Sequence, residues 1–161
     1  MRLLAPFILV AALCSCTSSD PVSLCDRFFT PYPDHVSQRP RTARNADLVD
    51  AMALYSDQDY KQAITGLQRV VDRDARNVTA RIYLISALLA AGDPYKAEMH
   101  LDFMESYQDR SYSDQVDWYN AMCWLCEGNN ERALKQAEWI ASRPHTYRTQ
   151  AADLVRALNK R

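Results

Sequence analysis

The chain predicts an all-α fold of paired helices stacked at a fixed period, and three observations carry that prediction. The alanines Ala63, Ala97 and Ala133 stand 34 and then 36 residues apart, and their neighbours fall into columns. Before them come Ala51, Ile85 and Ala121, then Leu54, Leu88 and Trp124; after them come Val70, Met104 and Ile140. A turn residue precedes each alanine by five positions: Gln58, Gly92 and Gly128. Glycine is otherwise scarce, at 3 residues in 161, which suits a helical chain with few tight turns. A fixed period near 34 with two helical patterns in each is the signature of a helix-turn-helix solenoid.

The first stretch, residues 1–15, reads as a targeting signal rather than an element of the fold. Arg2 precedes an apolar run from Leu3 to Leu13, shorter than the roughly 20 residues a membrane-spanning helix needs. Leu13-Cys14-Ser15-Cys16 resembles the lipobox of bacterial lipoprotein signals, with a large aliphatic residue three before the cysteine and a small one just before it. Cys14 departs from that pattern, which usually has a small non-thiol residue there. The resemblance implies cleavage after Ser15 and acylation of Cys16, palmitate included, so that lipid anchors a body that stays soluble. An ordinary secretory signal is the alternative. Thr17 after the acceptor, where aspartate would signal retention, implies the outer membrane of a bacterial envelope with the body facing the periplasm.

Residues 16–44 read as the lipidated N-terminus and a tether. Pro21, Pro31, Pro33 and Pro40 break any helix, yet Leu24, Phe28, Phe29 and Tyr32 form an apolar knot. Two readings stay open: the knot packs on the solenoid's N-terminal edge, or it docks in a groove, its own or a partner's. Arg39, Arg41 and Arg44 read as a solvated face, since three screened charges attract a membrane weakly.

Helical spacing then places a first helix after Asn45, taken as its N-cap, with Leu48, Ala51, Met52, Leu54 and Tyr55 on it. Asp57-Gln58-Asp59 breaks it, and a second helix runs from Tyr60 to Asp72. Asn77 caps a third that ends at Gly92, able to take the left-handed C′ conformation. Asp93-Pro94 opens a fourth, with cap and first-turn proline in order, reaching Tyr107. A fifth covers Asp114 to Glu127, and a sixth runs from Asn129 or Asn130 to Arg143-Pro144. Thr146 opens a seventh, carrying Ala151, Leu154, Val155 and Leu158, of the length that caps a solenoid.

These columns resemble the tetratricopeptide repeat over Asn45 to about Arg143. Small residues stand where paired helices come closest and large ones fill the spaces between. Ile85 and Ala137 invert that rule, and no repeat ends on the usual proline. The resemblance implies a right-handed α-α superhelix over 45–161: three helix pairs at about 45–77, 78–111 and 114–145, then a capping helix at 146–159. It also implies a protein-binding scaffold whose groove is lined by the first helix of each pair. Here that face offers Leu48, Met52 and Tyr55, then Ile82, Ser86 and Leu89, then Trp118, Met122 and Leu125. It has no basic clamp, so the expected partner is an apolar segment or helix of an envelope protein rather than an acidic tail. The helix after Asp114 is apolar almost all round, which leaves Trp118, Met122 and Leu125 as a surplus stripe and the expected main binding surface.

Other chemistry finds little support. The net charge of −1 gives no basic stripe, which excludes a nucleic-acid reading. Cys123-Trp124-Leu125-Cys126 matches C-x-x-C, but it falls late in a helix, far from the N-terminal dipole that activates such a pair. With His35, His100 and His145 scattered, no metal set forms, and the two cysteines read as packing residues with Cys25 left over. Catalytic residues, cofactors and metals are all expected to be absent, and the chain is expected not to be an enzyme. The function expected is a lipid-anchored scaffold in assembly of a secretin, pilus or other outer-membrane machine. The alternative is a structural subunit or homodimer whose groove is filled by its own tether or a second copy.

Overall fold

A computed structural model of the protein describes residues 23–160, and among these it is all-α. The eight helices are α1 (Leu24–Phe28), α2 (Ala46–Ser56), α3 (Tyr60–Arg73), α4 (Val78–Ala90), α5 (Pro94–Ser106), α6 (Ser113–Cys126), α7 (Asn130–Ala141) and α8 (Arg148–Leu158). None of them is long and apolar enough to cross a membrane. The signal at Met1–Ser15 and the lipidation site Cys16 lie outside the described residues.

The turns between α2 and α3, α4 and α5, and α6 and α7 share one hydrogen-bond pattern. Asp59, Asp93 and Asn129 each send their N–H back to the carbonyl five residues earlier, on Leu54, Leu88 and Trp124. The residue before each, Gln58, Gly92 and Gly128, has a φ of 61°, 78° and 80° and bonds the carbonyl three back. This is the Schellman closure, which satisfies carbonyls a helix end would otherwise orphan. Gln58 holds the same left-handed turn without glycine's freedom, at a steric cost. The side chains of Asp59, Asp93 and Asn129 then cap the next helix by accepting from the backbone N–H three residues on.

From α2 onward every helix packs on the next, and α6 also touches α4 and α1. The three repeat alanines are fully buried, as are Ile85, Ala121, Leu101 and Ile140. The approach between α2 and α3 is close: a Cβ added to Gly66 would stand 2.7 Å from the Ala51 Cβ. Only a residue without a side chain fits there.

Several expectations need correction. Asn45 makes no cap bond to α2; its Oδ1 accepts from Thr42 and its Nδ2 donates to Pro40, so it closes the preceding turn instead. The last helix starts at Arg148, because Thr146 is held outside it by bonds to Asp114. The largest difference lies in the presumed tether. Leu24–Phe28 forms a helix capped by Ser23, and the chain after it runs extended across α2, α4 and α6. Cys25 is not left over: it is joined to Cys126 by a disulfide across a sequence separation of 101.

Candidate functional site: a groove holding an extended segment

Thr30-Pro31-Tyr32-Pro33-Asp34-His35 is held mainly through its backbone, by side chains from three different helices. The Tyr55 hydroxyl on α2 donates to the Tyr32 carbonyl at 2.8 Å, and the Tyr32 N–H donates to Ser86 Oγ on α4 at 2.8 Å. Tyr55 has only one hydroxyl hydrogen, so in its 2.7 Å contact with Ser86 the serine is the donor. The three groups form a closed ring of hydrogen bonds. Tyr83, also on α4, accepts from the His35 N–H at 2.9 Å and donates to the Pro33 carbonyl at 3.0 Å. On α6, Tyr119 donates to the Thr30 carbonyl at 3.3 Å. The two prolines have no N–H to satisfy, and their fixed φ favours the extended path.

The segment's side chains fill the same groove. Tyr32 packs its ring 5.3 Å from Tyr83 and edge-on to Tyr112, and Phe29 lies 6.2 Å from Tyr119. Asp34 ends the run by accepting from the N–H groups of Val36 and Ser37, and Val36 is buried. Burial pushes the Tyr83 hydroxyl up to about 12 and also raises those of Tyr55 and Tyr119 well above the ordinary tyrosine value, so all three stay protonated donors. Beside the segment, a cavity of 260 Å³ remains between Pro31, Pro33, Trp118, Tyr147 and Gln150.

Eight of the nine residues expected to line an open groove are buried. Met52, Ile82, Ser86 and Met122 are fully inaccessible, Tyr55, Leu89, Trp118 and Leu125 are buried, and Leu48 is half-buried. Trp118 does not present its ring to solvent: it stacks on Tyr147, 5.4 Å away and nearly parallel. Sequence reasoning singled out Tyr55 and Ser86 but missed Tyr83, Tyr119 and Cys25. Tyr83 and Tyr119 share one repeat column, next to the Ile82 and Trp118 column, so a hydroxyl recurring in an apolar face was the available signal.

The reading of Cys123 and Cys126 as packing residues changes for Cys126. Cys126 ends α6 and reaches α1, whereas Cys123, three residues earlier, is fully buried and free. Burial pushes the Cys123 thiol far up, which makes it inert.

Two further polar clusters have no counterpart in the sequence pattern. Arg81 is buried on α4 and, among the described residues, has no carboxylate in contact; it donates to His100 Nδ1 and to the Ala75 carbonyl and lies over the Phe103 ring at 3.8 Å. Asp114, Asp117 and His145 bring three ligand-type atoms within 4.8 Å of one another. The imidazole faces the wrong way electronically for a metal. Its Nδ1 accepts from the Tyr147 N–H at 3.0 Å, which leaves the proton on Nε2, 3.6 Å from Asp114 and 3.5 Å from Asp117. A ligating histidine has the reverse arrangement, donating from its second nitrogen. The trio instead ties the α7–α8 turn to α6. Bonds from Thr146 hold the Asp114 carboxyl below its ordinary value, while burial pushes that of Asp117 up.

No family model, curated protein or solved structure matches the chain.

Proposed function

We propose that the chain is a tetratricopeptide-type scaffold, anchored through lipid on Cys16 in the outer membrane of a bacterial envelope and facing the periplasm. It is a binding protein rather than an enzyme, and its groove takes an extended segment of a protein partner in assembly of an envelope complex. The observation that carries this reading is the groove's grip on residues 30–35: hydroxyls from α2, α4 and α6 bond the backbone of an extended chain. Support for the repeat type comes from the three turns of one pattern at the positions the periodicity marks.

The second reading is a structural subunit whose groove is permanently closed by its own segment, and the Cys25–Cys126 bridge favours it. Photo-crosslinking separates the two. With a photoreactive residue at Gln115, half-buried at the groove's edge and next to Tyr32, the scaffold reading predicts a crosslink to a second protein in intact cells. Crosslinks confined to residues 28–36 of the same chain would leave the structural reading. Detergent-phase partitioning that is lost in Cys16→Ser tests the anchor separately.

A further inference from the structure

We infer that the Cys25–Cys126 disulfide is a latch on this groove, opened by a dithiol reductant, and that the opened groove takes a proline-flanked aromatic segment of another protein. The inference rests on the groove reading above and adds the ligand's chemistry and its control.

The ligand class follows from the occupant in place. The groove bonds the carbonyls of residues 30, 32 and 33 and the N–H groups of residues 32 and 35. Backbone groups are common to every chain, so these bonds do not require this particular segment. What they favour is an extended path with few N–H groups left between the contacts, which prolines at positions 31 and 33 provide. One aromatic side chain between them meets Tyr83 and Tyr112. A partner segment of pattern Pro-aromatic-Pro therefore reproduces both kinds of contact.

The latch follows from how the segment's two ends are held. At its C-terminal end it leads into α2. At its N-terminal end stands α1, five residues long with none of them buried, and its main helix neighbour is α6. Leu24, Phe28 and Phe29 pack half-buried on the core there, and the covalent bond from Cys25 to the last residue of α6 is the one hold on that end that a competitor cannot displace. While it is closed, a displaced segment stays tied on both sides and recaptures the groove at a high effective concentration. Cutting one end leaves a single-ended tether whose effective concentration is lower, and a competitor gains by that factor.

Both bridged cysteines are half-buried, so a reductant's thiolate can reach the bond. The thiolate attacks one sulfur, the S–S bond breaks, and the other cysteine leaves as a thiolate that takes up a proton. The reductant's second thiol then attacks the mixed disulfide, so the reductant is oxidised to a disulfide and Cys25 and Cys126 end as two thiols. The inert, buried Cys123 does not intercept the exchange.

The test measures fluorescence anisotropy of a labelled peptide of residues 28–38 against the detergent-solubilised full chain. Three forms are compared: oxidised, reduced with dithiothreitol, and Cys25→Ala. The expected result is at least tenfold tighter binding to the reduced and Cys25→Ala forms, abolished when the tyrosine of the peptide is replaced by alanine. Equal binding to oxidised and reduced forms would leave the groove reading standing and remove the latch. Binding to none of the three at millimolar peptide would overturn the groove reading itself. Should reduction and Cys25→Ala both abolish helical circular dichroism, the bridge is a folding staple and the latch falls. If the reduced chain dimerises without peptide, by light scattering, the occupant is a second copy and the partner form of the inference is wrong.

Discussion

The Tyr55 hydroxyl donates to the main-chain carbonyl of Tyr32 at 2.8 Å, which ties α2 to a segment 23 residues earlier in the chain. Ser86 completes the ring by donating to Tyr55 and accepting from the Tyr32 N–H. Tyr55→Phe should cost about 1–3 kcal/mol, because a buried carbonyl loses its donor. Ser86→Ala should cost a similar amount, and the double variant less than their sum, since either change breaks the same ring. Urea unfolding of the four proteins checks this, and strict additivity would show that the three groups do not act together.

Trp118→Ala should lower stability by about 3–5 kcal/mol, the usual range for emptying a buried aromatic site. The ring is 3% exposed and stacked on Tyr147 of the turn before α8, so its loss should also loosen that helix. A melting temperature near wild type, paired with weakened partner binding, would restore Trp118 to the solvent-facing role its spacing suggested.

The cysteines should separate sharply. Alkylation of the denatured, unreduced protein should modify Cys123 but neither Cys25 nor Cys126. Cys123→Ala should cost on the order of 1 kcal/mol of packing, whereas Cys126→Ala should cost about 2–5 kcal/mol, as the loss of a native disulfide does. Equal, small costs for both would show that the bridge does not form.

Much of this fold is legible in the sequence because its signals are local. The helix stops at Gly92 and Gly128, the caps at Asn77 and Asp93, and the alanine columns each need only neighbours within one repeat. Gln58 is legible only through its column, since nothing in the residue itself announces a left-handed φ. The groove's contents are legible only as one of the open readings, in which the apolar knot of Phe28, Phe29 and Tyr32 docks in the chain's own groove. Pro31 and Pro33 read as linker because proline ends helices, and nothing local says that a linker lies against Tyr83, some 50 residues on. The Cys25–Cys126 pairing depends on that same return of the chain, whereas the local pattern sets Cys126 beside the nearer Cys123. Nothing local marks Arg81 as buried, because an arginine on a helix is usually solvated; its neighbours His100 and Phe103 come from α5.

His100 should give stability a pH dependence below neutrality. Its Nδ1 accepts from Arg81, so the ring is neutral, and burial first, then the Arg81 charge, holds its pKa below the ordinary histidine value; Asp72 opposes them weakly. The unfolded chain therefore takes up a proton near pH ~6.5 that the folded chain refuses. Stability should fall as pH drops from that value toward the lower folded pKa, and be unaffected by this group above it. His100→Gln keeps an acceptor for Arg81 without titrating, so its melting temperature should fall less between pH 7 and pH 5. Parallel slopes for the two proteins would contradict the assignment.

The account rests on residues 30–35 lying in the groove, and amide hydrogen exchange reads that placement residue by residue. In the oxidised full chain, the amides of Tyr32 and His35, bonded to Ser86 and Tyr83, should be strongly protected, and Tyr83→Phe with Ser86→Ala should release both. Exchange of both amides at the rate of an unstructured peptide in the wild-type protein would place the segment outside the groove and contradict the account.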